Sequence, residues 1–512
     1  MSKPKSLFTN AIWNIITVVI TAIAGFILVP IIIKGIGIEN FGIYTIILMI
    51  GGFAALQSLG LGEATLKFVS QYYAKKDLEG VNRVFGATLS VYIFSGFIIS
   101  GLIIVFSSFI ISWFKLSPEN VENAIMALRI AGFAFLISIF SAALRTIPEA
   151  TQRYDILSKY NLLMMLLRYS AMYFIATSDG GIIGLTFLTL GSAVVDIFVY
   201  SILAKKLIPG IKCLPSFSKN GIREVFSYGV FSFINDLIQR ASAYVDQFIL
   251  GVFFTASSVA YLTAPKDLIT KAQGLTGAAG QALFPRFSSM DEGEEMQNLY
   301  STSLWILTIF SIIIFIPLAI IVPSFLAKWL SPEFAKNSSE FARLFSLGVA
   351  FNGGTSAYFA LLKGTGRIKL LTKFIMSIQL SAMILTGLLV YEFGIIGSGI
   401  RVLLFSFVGI TICIYVGKKV FKEFPVKKNL VEAAIIPIAL SLICFFIGAS
   451  ILDIYPLTSW VEIIIGYILF FVIIIFIQLG FNLIIFKKKG IGVIAFYSLK
   501  NYFMQIISNI RK

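Results

Sequence analysis

Apolar runs of eighteen or more residues recur along this chain from end to end. Each is long enough to cross the roughly 30 Å hydrocarbon core of a bilayer as a helix. A soluble core built from 512 residues has too little interior to hide them all. The balance of residues agrees. The chain is 58% hydrophobic and 13% charged, against about 25% charged in an ordinary soluble domain. The expected fold class is an all-α integral membrane protein, with little length left for a soluble domain.

Fourteen spans are expected: 8–33, 41–62, 84–112, 121–146, 160–177, 180–203, 224–254, 258–284, 299–323, 340–362, 374–391, 394–416, 430–452 and 457–486. The basic residues test this count. With the N-terminus inside, the inner segments and their span edges hold thirty of the 41 Lys and Arg residues. The outer loops hold Lys34, Lys115, Lys328 and Lys336, and seven more lie within spans. A missed span would invert every later loop and destroy this alternation, so the positive-inside rule supports both the even number and the orientation. The expected location is the cytoplasmic membrane with both termini cytoplasmic. The net charge of +16 follows from this bias and from anionic headgroups. Nucleic-acid binding is not needed to explain it. The tail, 487–512, begins with three lysines and continues through Ile491, Phe496, Leu499, Phe503 and Ile507. It reads as an amphipathic helix on the cytoplasmic surface.

Several chemistries are excluded. There is no histidine, so histidine metal sites, general bases and Ser-His-Asp triads are absent. The three cysteines, Cys213, Cys413 and Cys444, are too scattered for a zinc site or a disulfide framework. No GxxxxGK[ST] run is present, so the chain has no P-loop of its own. No cofactor is expected, and no enzymatic activity.

The chain also repeats itself. At an offset of 214, Arg129, Thr151, Arg153, Leu157 and Lys159 fall on Arg343, Thr365, Arg367, Leu371 and Lys373. At 213, Gly181-Ile-Ile-Gly184 falls on Gly394-Ile-Ile-Gly397, and at 218, Gly62, Ala64 and Ser70 fall on Gly280, Ala282 and Ser288. Such an offset spans six helices, and an even number of crossings keeps both copies in one orientation. This is a parallel repeat about an axis along the membrane normal. The expected division is a six-helix lobe at 1–210, a second at 211–420, two extra helices at 421–486, and the tail. Two like bundles that rock about a cleft give alternating access.

Seven basic residues lie inside spans: Arg129, Arg168, Arg240, Lys266, Lys271, Arg343 and Arg401. Facing lipid they would cost up to about 20 kcal/mol together on insertion scales. Most must therefore face an interior, a wet cavity or a headgroup layer. The mid-span acids are Asp196, Asp236, Asp246 and Asp267. Asp236 with Arg240, and Asp267 with Lys271, have i, i+4 spacing and can pair as internal struts. Arg129, Arg168 and Lys266 have no such local partner. A cleft lined by unpaired cations suits an anion, and guanidinium forks match phosphate oxygens. The substrate-binding candidates are therefore Arg129, Arg168, Arg240, Lys266, Lys271 and Arg343. Asp196, Asp236 and Asp246 are the candidates for coupling an ion. The seventh span is the most polar. Its Asn235, Gln239 and Gln247, with Asp236, Arg240, Ser242 and Asp246, are expected to form a wet wall.

The run Gly35-Ile-Gly-Ile-Glu-Asn-Phe-Gly-Ile-Tyr44, then Ser58-Leu-Gly-Leu-Gly62 and Gln71-Tyr-Tyr-Ala-Lys75, resembles the first hairpin of Wzx-type polysaccharide flippases. Asp246-Gln-Phe-Ile-Leu-Gly251 followed by Tyr261 has the same resemblance at the start of the second half. These flippases act on O-antigen and capsule repeat units and belong to the multidrug/oligosaccharidyl-lipid/polysaccharide exporter superfamily. The resemblance implies a polyprenyl-diphosphate-linked oligosaccharide as substrate, moved from the inner to the outer leaflet. It further implies H⁺ or Na⁺ as coupling ion, surrounding membrane lipids, and polymerase machinery as a partner. The alternatives are a lipid II-type flippase and a multidrug or cation antiporter of the same superfamily, then a membrane glycan polymerase. The first two spans contain no arginine, unlike a lipid II flippase with its arginine cluster there. Asp196 is the only mid-span acid in 1–210, which disfavours a cation exporter.

Overall fold

The computed structural model describes residue 20 and residues 23–54, 60–178, 180–486 and 490–492. The start of the first expected span and nearly all of the expected amphipathic tail lie outside them. The described residues form helices and short connections, with no strand among them. In chain order the helices are α1 (Ile23–Ile36), α2 (Ile38–Ala54), α3 (Leu61–Ala74), α4 (Leu78–Val105), α5 (Ser107–Ser112), α6 (Pro118–Ala150), α7 (Tyr154–Thr177), α8 (Gly181–Leu207), α9 (Lys219–Phe253) and α10 (Ala256–Gln281). They continue with α11 (Phe284–Ser288), α12 (Glu294–Trp329), α13 (Pro332–Phe351), α14 (Thr355–Gly364), α15 (Ile368–Phe393), α16 (Ile395–Val420), α17 (Val426–Leu430), a π-helical turn at Val431–Ile435, α18 (Ile436–Ile454) and α19 (Trp460–Phe486).

Each of the fourteen expected spans meets a helix or a helix broken in two. Among the described residues, eight helices are long and apolar enough to cross a membrane by themselves, and the pair α1 and α2 joins them if counted as one bent span. The long helices that fall short include α7, α9 and α10. These carry Arg168, Asp236, Arg240, Asp246, Lys266, Asp267 and Lys271. The polarity that lowers their hydropathy is the polarity expected of helices beside a wet space.

The chain divides into two compact units, Met1–Ala264 and Pro265–Lys512, with the boundary inside α10. The sequence repeat places its division near residue 210 instead. The difference comes from α9, which packs on α2, α3 and α4 within the first unit. In that unit α6 is the hub, touching α2, α3, α4, α5, α7 and α8. In the second unit α12 is the hub, against α13, α14, α16, α18 and α19. Its most apolar window is 72% buried, against 17% for α15 and α19, so those two leave most of their surface exposed. Around α12 the Tyr300 ring is fully buried among Phe287, Phe421 and Phe424. Its hydroxyl donates to the Cys413 carbonyl at 2.7 Å, which satisfies the polar end of an otherwise apolar contact.

The repeat is visible in backbone detail. Thr151 N–H donates to Ile147 O, and Thr365 N–H to Leu361 O. Arg153 N–H donates to Pro148 O, and Arg367 N–H to Leu362 O. The threonine hydroxyls bond back to the same Ile147 and Leu361 carbonyls. Between them stand residues in the left-handed region: Gln152 at φ 58° in the first copy, Gly366 at φ 70° in the second. Gly181 (φ 55°) is the first residue of α8 and Gly394 (φ 57°) directly precedes α16. The left-handed conformation costs a non-glycine residue about 1–2 kcal/mol. Gln152→Gly is therefore expected to raise thermal stability, by about 0.5–1 kcal/mol after the entropy of the added glycine is discounted. Gly366→Gln should lower it. Thermal unfolding of the purified protein checks both. A destabilised Gln152→Gly would mean that the glutamine side chain contributes more than its backbone costs.

The final pair of helices is joined by buried polar contacts. Pro437, near the start of α18, has no N–H and follows the π-helical turn. Buried Gln478 of α19 donates to the Pro437 carbonyl at 2.9 Å and to Ser441 Oγ at 3.0 Å. Buried Glu432 accepts from Ile491 N–H at 2.7 Å.

Candidate functional site

In the first unit, α7 and α8 pack side by side and bring three chemically active side chains together. Asp196 of α8 lies 28 residues beyond Arg168 in sequence. Its Oδ2 accepts from Arg168 Nη2 at 2.6 Å, and its Oδ1 accepts from the Tyr160 hydroxyl at 2.6 Å. Tyr160 sits two turns before Arg168 on α7 and meets the Tyr200 ring edge-on at 5.2 Å. The pair opens onto a cavity of about 280 Å³, whose other lining residues include Tyr44, Ser138, Thr189 and Ser192. The Arg168 Nε is buried there without an acceptor. The carboxylate is one-fifth exposed and the guanidinium two-fifths. The site thus holds a charge pair, a phenol and three hydroxyls beside a space large enough for a small polar group. It also retains one guanidinium N–H for a further acceptor.

Arg129 and Arg168, without a partner nearby in sequence, find theirs across helices. Arg168 pairs across helices, which i, i+4 spacing does not reveal. Arg129 Nε donates to Ser107 Oγ of α5 at 2.9 Å. Lys266 is engaged as well. Arg240 goes elsewhere than its i, i+4 acid. Its Nη1 donates to the Gly52 carbonyl of α2 at 2.9 Å, while its charge still acts on the Asp236 carboxylate one turn before it. Tyr244, one turn on, lies over Gly52, where a Cβ would come within 2.5 Å of the ring. Arginine and tyrosine together thus fasten α9 to the end of α2. Of the remaining residues of the expected wet wall, Gln239 is exposed, while Asp246 and Gln247 are 1% and 6% exposed. The Asn235 side chain lies outside the described set.

In the second unit, Arg343 is held by Glu340 at 3.0 Å and Asp453 at 3.4 Å, and Lys271 lies on α10. A cavity of about 490 Å³ is lined by Gly277, Gln281, Phe284, Ser356, Phe359 and Lys363, among others. The Lys363 ammonium lies 5.3 Å from the Phe284 ring centre. Sequence reasoning missed Tyr160, Phe359 and Lys363. Lys363 was absorbed into the inner-loop charge count, and nothing local marks the other two.

The signature runs turn out to be joints. Gly37 adopts φ 84°, and α1 and α2 bend by 117° around it. Gly35 and Gly42 touch the carbonyls of Ala176 and Ala256, with no room for a Cβ. Glu39 accepts from the backbone N–H and hydroxyl of Ser117, at 2.7 and 2.8 Å, just before α6. Gly251 lies against the Phe114 ring, and its carbonyl accepts from Lys115 N–H at 3.0 Å.

Comparison with known proteins follows from this architecture. The family described as polysaccharide biosynthesis protein matches residues 7–291. A Shigella flexneri protein named "Putative O-antigen transporter" is 21% identical over 400 residues, covering 77% of this chain and 94% of that protein. Among solved structures, the lipid II flippase MurJ in its inward closed conformation superposes with a TM-score of 0.72 at 18% identity. It covers 91% of this chain and 98% of its own. An inward-facing multidrug resistance transporter of the MATE family and MOP superfamily gives 0.62 at 15% identity, covering 77% and 94%. These structures share the fold of this chain.

Proposed function

The chain belongs to the polysaccharide biosynthesis protein family, and on that premise we propose that it is a flippase. Its substrate is an oligosaccharide repeat unit linked to polyprenyl diphosphate, carried from the inner to the outer leaflet of the cytoplasmic membrane. The observation that carries the reading is the Arg168–Asp196–Tyr160 constellation on its cavity. A diphosphate crossing hydrocarbon must exchange its water and counterions for protein donors. The name of the Shigella relative supports a lipid-linked glycan.

In this account Asp196 is the coupling group. While ionised, it occupies Arg168. When an H⁺ or Na⁺ of the gradient neutralises it, the guanidinium is released to the phosphate oxygens, and loss of that ion recloses the pair. Arg240 and Lys271 are further contacts on the route. The 211–420 region acts as the second lobe of an alternating-access cycle, with 421–486 as an accessory helix pair. The phenyl rings and polar groups of the Phe284–Phe359–Lys363 cavity suit a sugar, since ring faces stack on aromatics and hydroxyls bond to amides and hydroxyls.

Depletion of the protein in its host tests the reading. Complete repeat units on polyprenyl diphosphate should accumulate in the inner leaflet while surface polysaccharide declines. Unchanged surface polysaccharide with no accumulation would reject the assignment in favour of an exporter of other solutes.

A further inference from the structure

At the other end of the second unit from the Lys363 cavity lies a pocket of about 510 Å³ between α12, α13 and the turn that joins α18 to α19. Ser324, Lys328, Arg343, Asp453, Pro456 and Thr458 are among its lining residues. The positive-inside reading places this end at the outer surface, and its aromatic residues agree. Phe325 stacks on Trp329 at 5.5 Å and meets Trp460 edge-on at 6.0 Å, the amphipathic rings expected at headgroup level.

The charges at this pocket have a particular arrangement. Arg343 is nearly buried, its side chain 14% exposed. Its Nη atoms turn to two carboxylates that are largely in solvent, Glu340 and Asp453, 63% and 68% exposed. The Asp453 contact is long, at 3.4 Å. The Arg343 Nε is buried and has no acceptor. An unmet guanidinium N–H in a low-dielectric wall is costly unless something occupies it. Lys328, on the same pocket, is exposed and has no acceptor among the described residues. Two cations thus have donor capacity to spare. Asp453 lines the pocket with them, and Glu340 holds Arg343 from outside the lining.

We propose that this pocket binds the headgroup of a zwitterionic, amine-bearing phospholipid of the outer leaflet. The phosphodiester oxygens accept from Arg343 Nε and Lys328 Nζ, and the ligand's ammonium faces Asp453. The exposed Asp453 carboxylate on the lining gives the ammonium of such a headgroup a partner, which a purely anionic lipid lacks. The site is separate from the transport route and does not depend on the flippase reading. It assigns Arg343 a role other than substrate contact. It also gives the α18–α19 pair a function, since a lipid seated there ties the turn between them to α12.

The test uses the full chain reconstituted in nanodiscs of equal parts phosphatidylethanolamine and phosphatidylglycerol. Lipids retained after release into detergent are counted by native mass spectrometry. The wild type should retain phosphatidylethanolamine preferentially. Lys328→Gln, at an exposed position that leaves folding untouched, should lower that retention about fivefold, the effect of one interfacial cation. Arg343→Gln should lower it further. Asp453→Asn should keep phosphate binding and lose the preference for the amine. Equal retention of both lipids by wild type and Lys328→Gln, or a wild-type preference for phosphatidylglycerol, would overturn the proposal.

Discussion

Transport is expected to fall to background when Arg168 is replaced by alanine, and to become insensitive to the ion gradient when Asp196 is replaced by asparagine. The two outcomes differ because the two groups have different tasks in the constellation. Among the described residues, alanine at 168 removes the only guanidinium lining the first-unit cavity and leaves the Asp196 carboxylate its bond from Tyr160. Removing one partner of a desolvated pair is costlier than the pair is worth, because the other charge stays behind. Partial exposure of Arg168 reduces that cost, so the variant should still fold. Asparagine at 196 keeps the shape and can still accept from Tyr160. It cannot change its charge, so Arg168 is held or released at one fixed level. Arg168→Lys should recover some transport, since a point charge binds phosphate without the fork. A drop of at least about tenfold, equivalent to about 1.4 kcal/mol, is expected for alanine at equal membrane levels. Complementation of a depleted host provides the measurement. Asp196→Asn with undiminished gradient dependence would leave Asp196 as a structural strut.

The second large effect is on folding. Gly42→Val should reduce the yield of folded, monodisperse protein by more than about tenfold. A Cβ at 42 would fall on the backbone carbonyl of Ala256, and a carbonyl in a helix cannot rotate aside as a side chain can. Overpacking of a core typically costs about 1–3 kcal/mol, and here two helix backbones must separate to relieve it. Even Gly42→Ala should be unstable. Gly101→Ala is the control. That glycine is helical with nothing within 4 Å of the added carbon, so alanine should be neutral or stabilising by up to about 1 kcal/mol. Fluorescence-detected size exclusion after a heating series compares the three. Equal midpoints for Gly42→Val and wild type would mean that α2 and α10 are not in contact.

The pattern of apolar runs made the helices legible, because length and hydropathy are properties of contiguous residues. The repeat was legible too, and the paired φ values at Gln152 and Gly366 show why its residues recur. They form the same tight turn twice. Pairing across helices was not legible. Arg168 and Asp196 are 28 residues apart, and nothing in either neighbourhood indicates that α7 and α8 turn those positions toward each other. The i, i+4 rule assigned Asp236 to Arg240, yet Arg240 takes the Gly52 carbonyl of α2. A backbone acceptor has no signature in sequence. The bend at Gly37 was marked only by its glycine, and the polar residue Gln478 in an apolar helix was a sign of a buried contact with the Pro437 carbonyl and Ser441 of α18. The charged residues predicted as a set are spread over separate helices with separate partners. Counting charges therefore named Arg168 and Asp196 without revealing that they meet.

Leaflet-to-leaflet movement in a purified system tests the central claim most directly. The protein is reconstituted in liposomes with an oligosaccharide linked to polyprenyl diphosphate, and a membrane-impermeant glycosidase reports the glycan exposed on one face. The account predicts that wild type makes the protected glycan accessible, faster under an imposed ion gradient, and that Arg168→Ala matches protein-free liposomes. Equal protection with wild type and without protein, in either gradient direction, would contradict it.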